Sequence, residues 1–236
     1  NLINTLLDAF GEALRLIVSL DPLVLEIVLR SLHVTVGALI FSTVIGVPVG
    51  TWFALTHFPG KRIFTAFIYT GMGLPPVVVG LVVYLLLSRA GPLGSLDWLF
   101  KIEAMILAQT IIATPLIIGV TLSSVLSVEP DLRRQLRALG ATRWQTTLSV
   151  LYEARFGLIV GLVAGFGSII SEVGAVMLVG GNIEGRTRVL TTAVVLETRR
   201  GAFDLALAFG IILLLVALLT NAVLVGLQGR SGRSTP

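Results

Sequence analysis

The stretch LALAFGIILLLVALLTNAVLVGL, residues 205–227, runs for 23 residues without a charged side chain. In hydrocarbon every backbone N–H and C=O must find its partner within its own segment. A bilayer core about 30 Å thick is therefore crossed by about 20 apolar residues wound as a helix. Residues 205–227 meet that requirement, and predominantly apolar runs, three of them with a single charged residue, cover 27–55, 63–87, 103–128 and 156–179. The composition agrees: 55% of residues are hydrophobic, 13% are charged and the mean hydropathy is +0.97, well outside the soluble globular range. The expected fold is an all-α integral membrane protein of about five transmembrane helices.

The flanks read differently. Residues 1–20 set Leu2, Ile3, Leu6, Leu7, Phe10, Leu14 and Ile17 at helical spacing against Asn4, Asp8, Glu12, Arg15 and Ser19. That pattern predicts an amphipathic helix lying in the interface, followed by a helix start at Asp21-Pro22. The transmembrane domain then covers 21–228, and 229–236 reads as a disordered tail. The chain has no cysteine, so disulfides and thiolate metal sites are excluded. His33 and His57 have no second ligand at metal spacing and read as structural. The net charge of +4 reflects loop arginines more than a nucleic-acid surface.

Residues 129–155 break the apolar pattern. Arg133, Arg134, Arg137, Arg143 and Arg155 alternate with Leu132, Leu136, Leu139 and Trp144, and Gly140 tolerates the positive φ of a sharp turn. The apolar residues give a short helix one greasy stripe, which either docks in a groove on a partner or rests on the membrane surface. With this segment in the cytoplasm, the positive-inside rule places the N-terminus outside and the C-terminus inside. Arg186, Arg188, Arg199 and Arg200 then fall on the outside. They attract an anion or an acidic binding protein, or they pair with Glu184, Glu197 and Asp204.

Within the spans, Pro75, Pro76 and Pro115 each remove or strain a helix hydrogen bond, which fits kinks beside a pathway. Gly157, Gly161 and Gly165 line one face at four-residue spacing and predict a close helix-packing seam, within one subunit or between two. Glu172 is costly at membrane depth and reads as a structural or gating residue, with Ser168 and Ser171 nearby as hydroxyl donors. No Gly-rich run ending in Lys-Ser or Lys-Thr occurs, so the chain has no such cradle for ATP phosphates.

The segment Arg133-Arg134-Gln135-Leu136-Arg137-Ala138-Leu139-Gly140-Ala141-Thr142-Arg143-Trp144-Gln145 resembles the cytoplasmic coupling loop of ABC importer membrane subunits. Arg134, Gln135 and Leu136 stand where that loop carries Glu-Ala-Ala, and Tyr152-Glu153 stands near its Leu-Pro; Leu139-Gly140-Ala141 and Trp144 fit. The stretch 22–228 further resembles the membrane subunit of tungstate importers, related to the molybdate and sulfate importers. That likeness rests on Gly73-Leu74-Pro75-Pro76-Val77-Val78-Val79-Gly80, on Ser88-Arg89-Ala90-Gly91-Pro92-Leu93-Gly94, and on Ser171 to Met177 and Gly180 to Thr192.

The resemblance implies a type I ABC importer transmembrane fold in the cell membrane and alternating access driven by ATP. It implies a second copy of the chain, two cytoplasmic ATPase subunits that hold ATP and Mg, and an extracytoplasmic substrate-binding protein. Arg133, Arg134, Arg137, Leu139, Gly140, Ala141 and Trp144 would couple to the ATPase. Pro75, Pro76, Ser168, Ser171 and Glu172 would line a pathway or gate, and Gly157, Gly161 and Gly165 would pack helices. No enzyme activity, cofactor or nucleic-acid partner is expected of the chain itself. Two other classes stand beside this reading: an ATP-independent channel or secondary carrier, and a non-transporting scaffold.

Overall fold

The computed structural model describes residues 10–231 apart from 13, 17 and 20. Among these residues the chain is a helical bundle without strands. The helices are α1 (Pro22–Leu55), α2 (Lys61–Met72), α3 (Pro76–Leu87), α4 (Ile102–Leu126), α5 (Pro130–Ala138), α6 (Arg143–Glu153), α7 (Arg155–Ile170), α8 (Gly174–Gly180), α9 (Leu190–Arg200) and α10 (Phe203–Ser231). Helices α1, α4 and α10 are each long and apolar enough to cross a bilayer alone. Counting each of two bent pairs, α2 with α3 and α6 with α7, as one span gives up to five by length and composition.

Asp21 starts α1 by accepting from the N–H groups of Leu23 and Val24, with Pro22 at the first helical position, where its missing N–H costs nothing. Helix α1 lies along α4 because small residues let the backbones meet. A methyl group on Gly46 would stand 2.7 Å from Ile117 Cγ2, and one on Gly50 would stand 2.7 Å from the Ile118 carbonyl. The largest buried cluster joins α1, α3, α4 and α8 through Val34, Val83, Leu87, Met105, Ala108 and Val176. Outward-facing residues such as Leu214, 70% exposed, and Val44, 65% exposed, form the apolar surface expected of a bundle solvated by lipid.

Three expectations change. The span read as 63–87 is two helices meeting at 97°, because Gly73 ends α2 and Pro76 opens α3. Pro75 and Pro76 therefore sit at a helix cap and first turn, where proline is accommodated, and they do not kink a continuous helix. Pro115 does lie inside the continuous α4. The span read as 156–179 is likewise interrupted, with α7 ending at Ile170 and α8 restarting at Gly174. The loop expected after it contains α9, whose Leu190, Thr192 and Ala193 are buried, with Leu190 and Ala193 packed against α1 and α10.

The interfacial helix expected over 1–20 lies largely outside the described residues. Most of those described in that stretch are helical, and Leu16 is buried beside Val24, Ile27 and Phe209. The tail expected from 229 is helical through Ser231, and 232–236 lie outside the described residues.

Candidate functional site: a polar elbow and a pair of helix breaks

Helices α5 and α6 form a hairpin that stands out at one end of the bundle. Pro130 opens α5, Asp131 sits in its first turn and Arg137 in its last, each charge placed to suit the helix dipole. Gly140 then takes φ +86°, and two backbone bonds close the turn: Gly140 N–H to the Arg137 carbonyl at 3.0 Å and Ala141 N–H to the Leu136 carbonyl at 3.0 Å. This is a Schellman-type stop, which needs a residue free to enter the left-handed region. Two residues later Thr142 opens α6 with a capping box. Thr142 Oγ1 accepts from Gln145 N–H at 3.3 Å, and Gln145 Oε1 accepts from Thr142 N–H at 2.8 Å.

One side of the hairpin anchors it. Leu132, Val150 and Ala154 join a buried cluster with Phe53, Leu122 and Val125. The tip is bare: Leu139 is 84% exposed and Trp144 70%. Arg134 pairs with Asp131 at 3.0 Å in the open, whereas no carboxylate among the described residues lies within 4 Å of Arg133, Arg137 or Arg143. These three arginines line a cavity of about 570 Å³ between the hairpin and the end of α1, together with Trp52, Pro48 and Trp144. Glu129 and Glu153 line a separate hollow on the α4–α7 side. Arg155 is held by stacking, 4.1 Å from the Tyr152 ring and 4.6 Å from the Phe156 ring.

Deeper in the bundle the two helix breaks come together. A methyl group on Gly80 of α3 would stand 2.6 Å from Ala175 Cα of α8, and one on Gly174 would stand 2.6 Å from Val77 Cγ2. The Pro75-Pro76 restart and the Glu172–Gly174 restart thus lie side by side. Glu172 Oε1 accepts from Ala175 N–H at 3.0 Å, so its carboxylate caps α8 and meets the positive end of that short helix. Its backbone carbonyl accepts from Thr191 Oγ1 at 3.1 Å, tying α9 to the same point. Ser171 Oγ donates to the Gly167 carbonyl at 2.7 Å, and Ser168 and Ser171 are exposed beside the break.

Behind Glu172 lies a polar pocket of about 10 Å³, lined by Ser31, Thr35, Gln109 and Thr191. Gln109 Nε2 donates to the Ile169 carbonyl at 3.1 Å while its Oε1 is buried without a partner. Sequence reasoning misses Gln109, Ser31 and Thr191; the one signal they offer is a polar side chain within or beside an apolar run. Gly157, Gly161 and Gly165 face α4 of the same chain. Methyl groups there would strike Ser124 from Gly157, Val120 at 2.9 Å from Gly161 and Ile117 at 3.2 Å from Gly165.

The opposite end of the bundle holds the second basic group. Arg188 pairs with Glu184 at 3.0 Å, and its backbone carbonyl accepts from Arg30 Nη1 at 3.3 Å. Arg200 pairs with Glu197 at 2.9 Å, and Arg199 stands beside it in the last turn of α9. Arg186 has no carboxylate within 4 Å among the described residues and lines a hollow of about 390 Å³ with His33 and Lys101. Lys101 Nζ donates to Asp97 Oδ2 at 2.8 Å, and that bond holds the Asp97 carboxyl below the usual carboxylate range.

Residues 46–235 match the family described as binding-protein-dependent transport system inner membrane component. The chain is 46% identical over 212 residues to a probable anion ABC transporter permease protein of Haloferax volcanii, covering 86% of this chain and 91% of that one. It is 38% identical over 221 residues to the tungstate uptake system permease protein TupB of Peptoclostridium acidaminophilum, covering 94% and 97%. In fold it is similar to a chain of the inward-facing MetNI methionine ABC transporter, with a TM-score of 0.72 at 19% identity over 90% of this chain and 99% of that one.

Proposed function

Since the chain belongs to the binding-protein-dependent transport system inner membrane components, we propose that it is the permease subunit of an ATP-driven importer for an oxyanion, tungstate first and molybdate second. It is a multi-pass membrane protein with the type I ABC importer transmembrane fold. The observation that carries the substrate is the relation to a tungstate permease over nearly the whole length of both chains.

The elbow supports the source of drive. A turn closed at both sides by caps projects Leu139 away from the bundle, while its other side is fixed to the ends of α1 and α4. A force applied at the tip is therefore delivered to those helices, where a floppy loop would absorb it. ATP and Mg sit on two separate ATPase subunits in this reading; of the seven residues expected to couple to them, Arg134, Leu139, Gly140 and Ala141 meet them, while Arg133, Arg137 and Trp144 line the cavity between the hairpin and α1. A second copy of the chain completes the pathway, and an extracytoplasmic binding protein delivers the anion. The elbow and the C-terminus face the cytoplasm, and Arg186 with α9 faces outward.

The pathway runs past the paired breaks, where Ser168 and Ser171 are exposed at the end of α7, just before the α8 restart that packs on α3. Hydroxyl and backbone N–H donors suit a weakly held, quickly released oxyanion better than a fixed cation would. Glu172, occupied as a cap, holds the break in shape.

Tungstate uptake into liposomes carrying the chain, its ATPase and its binding protein tests the proposal. Uptake is expected only with all three present and ATP on the ATPase side. Flux through the chain alone would make it a channel or secondary carrier.

A further inference from the structure

We propose that the cavity behind the elbow binds the headgroup of an acidic phospholipid, with the guanidinium groups of Arg133, Arg137 and Arg143 on its phosphate. Such a site is independent of the transport reading and needs only that α1 spans a bilayer. The cavity is about 570 Å³, and two helices of the hairpin bring three like charges to it. With no carboxylate within 4 Å among the described residues, these groups repel one another unless an anion is added. Arg133 Nε is moreover buried without an acceptor. Planar guanidinium forks match phosphate oxygens two at a time.

The position favours a lipid over a soluble ion. Helix α1 has 34 residues, about 51 Å of helix against a hydrocarbon core of about 30 Å, so its end emerges into the headgroup layer. That level is marked by aromatic rings: Trp52 stacks on Phe58 at 5.4 Å and meets Phe53 edge-on at 5.0 Å. Trp52 is also a wall of the cavity, with Val47, Pro48 and Leu55. One wall is thus apolar and the other cationic. A free anion would use the arginines and leave the apolar wall wet, whereas a phospholipid uses both. Just along α1, Ile40, Val44 and Ile45 are exposed and offer an acyl chain a track away from the cavity.

Native mass spectrometry of the full chain in detergent, with equal amounts of phosphatidylglycerol and phosphatidylcholine, tests the site. The chain is expected to retain phosphatidylglycerol selectively. Because each basic residue near a lipid surface contributes roughly a five-fold preference, the triple variant R133Q/R137Q/R143Q should lose about a hundredfold. The exposed single variant Arg137→Gln, which disturbs no packing, should lose roughly five-fold. Arg186→Gln at the other end should change nothing.

Equal retention of the two lipids, or selectivity surviving in the triple variant, would overturn the proposal. Inorganic phosphate protecting the chain from heat as well as phosphatidylglycerol does would also overturn it, by making a soluble anion the ligand. If the triple variant kept its lipid preference but lost capture by the ATPase, the three arginines would belong to that interface instead.

Discussion

Gly80 leaves no space for a methyl group, because a Cβ there would stand 2.6 Å from Ala175 Cα, a backbone atom that cannot swing aside. The Gly80→Ala variant should therefore lose about 1–3 kcal/mol of stability in a detergent melt, the usual range for forced overpacking. Gly167→Ala is the control. It has nothing within 4 Å of its Cβ position and should melt at or above the parent temperature. Residue types announce part of this packing and leave the rest unsaid. The four-residue spacing of Gly157, Gly161 and Gly165 signals a close approach but does not name the partner, which is α4 of the same chain. Glu172 is legible as a costly group needing compensation; that the compensation is a backbone N–H three residues on depends on a helix restart that its neighbours do not announce.

At the scale of elements, the elbow is the most readable part, since Gly140 carries a local signal whose geometry is set within a few residues. The breaks are harder to read. Hydropathy reports that a run is apolar and is blind to a 97° turn inside it, so Leu74-Pro75-Pro76 reads as a kink in one helix. Helix α9 is hidden for another reason: its burial comes from packing on α1 and α10, distant in sequence, while its threonines and arginines read as loop. The elbow turn makes its own prediction. Gly140→Val forces a β-branched residue to φ +86°, at a cost of about 1–2 kcal/mol, and displaces no neighbour because nothing lies within 4 Å of the Cβ position. Trypsin cleavage after Arg137 and Arg143 should then rise about five- to thirty-fold with the melting temperature of the bundle unchanged; an unaltered cleavage rate would mean the turn is not held as described.

At the scale of the molecule, the elbow packs on the last turns of α1, beside Trp52 and Leu55, and the loop that carries Arg188 packs on its early turns through Arg30, so the two basic groups stand at opposite ends of a helix long enough to cross a bilayer. Span number and fold class follow from composition and run length, which bilayer thickness fixes almost alone. The way the spans assemble does not follow, because a lipid-facing and a helix-facing leucine look alike in sequence and the seams are written in small residues. The central claim is that the elbow faces the cytoplasm and touches a motor protein there. The chain has no cysteine, so a single Ala141→Cys at the elbow is a unique label site. A membrane-impermeant maleimide should label it in inside-out vesicles but not in intact cells, and bound ATPase should protect it. Labelling from outside intact cells, or labelling indifferent to the ATPase, would contradict the account.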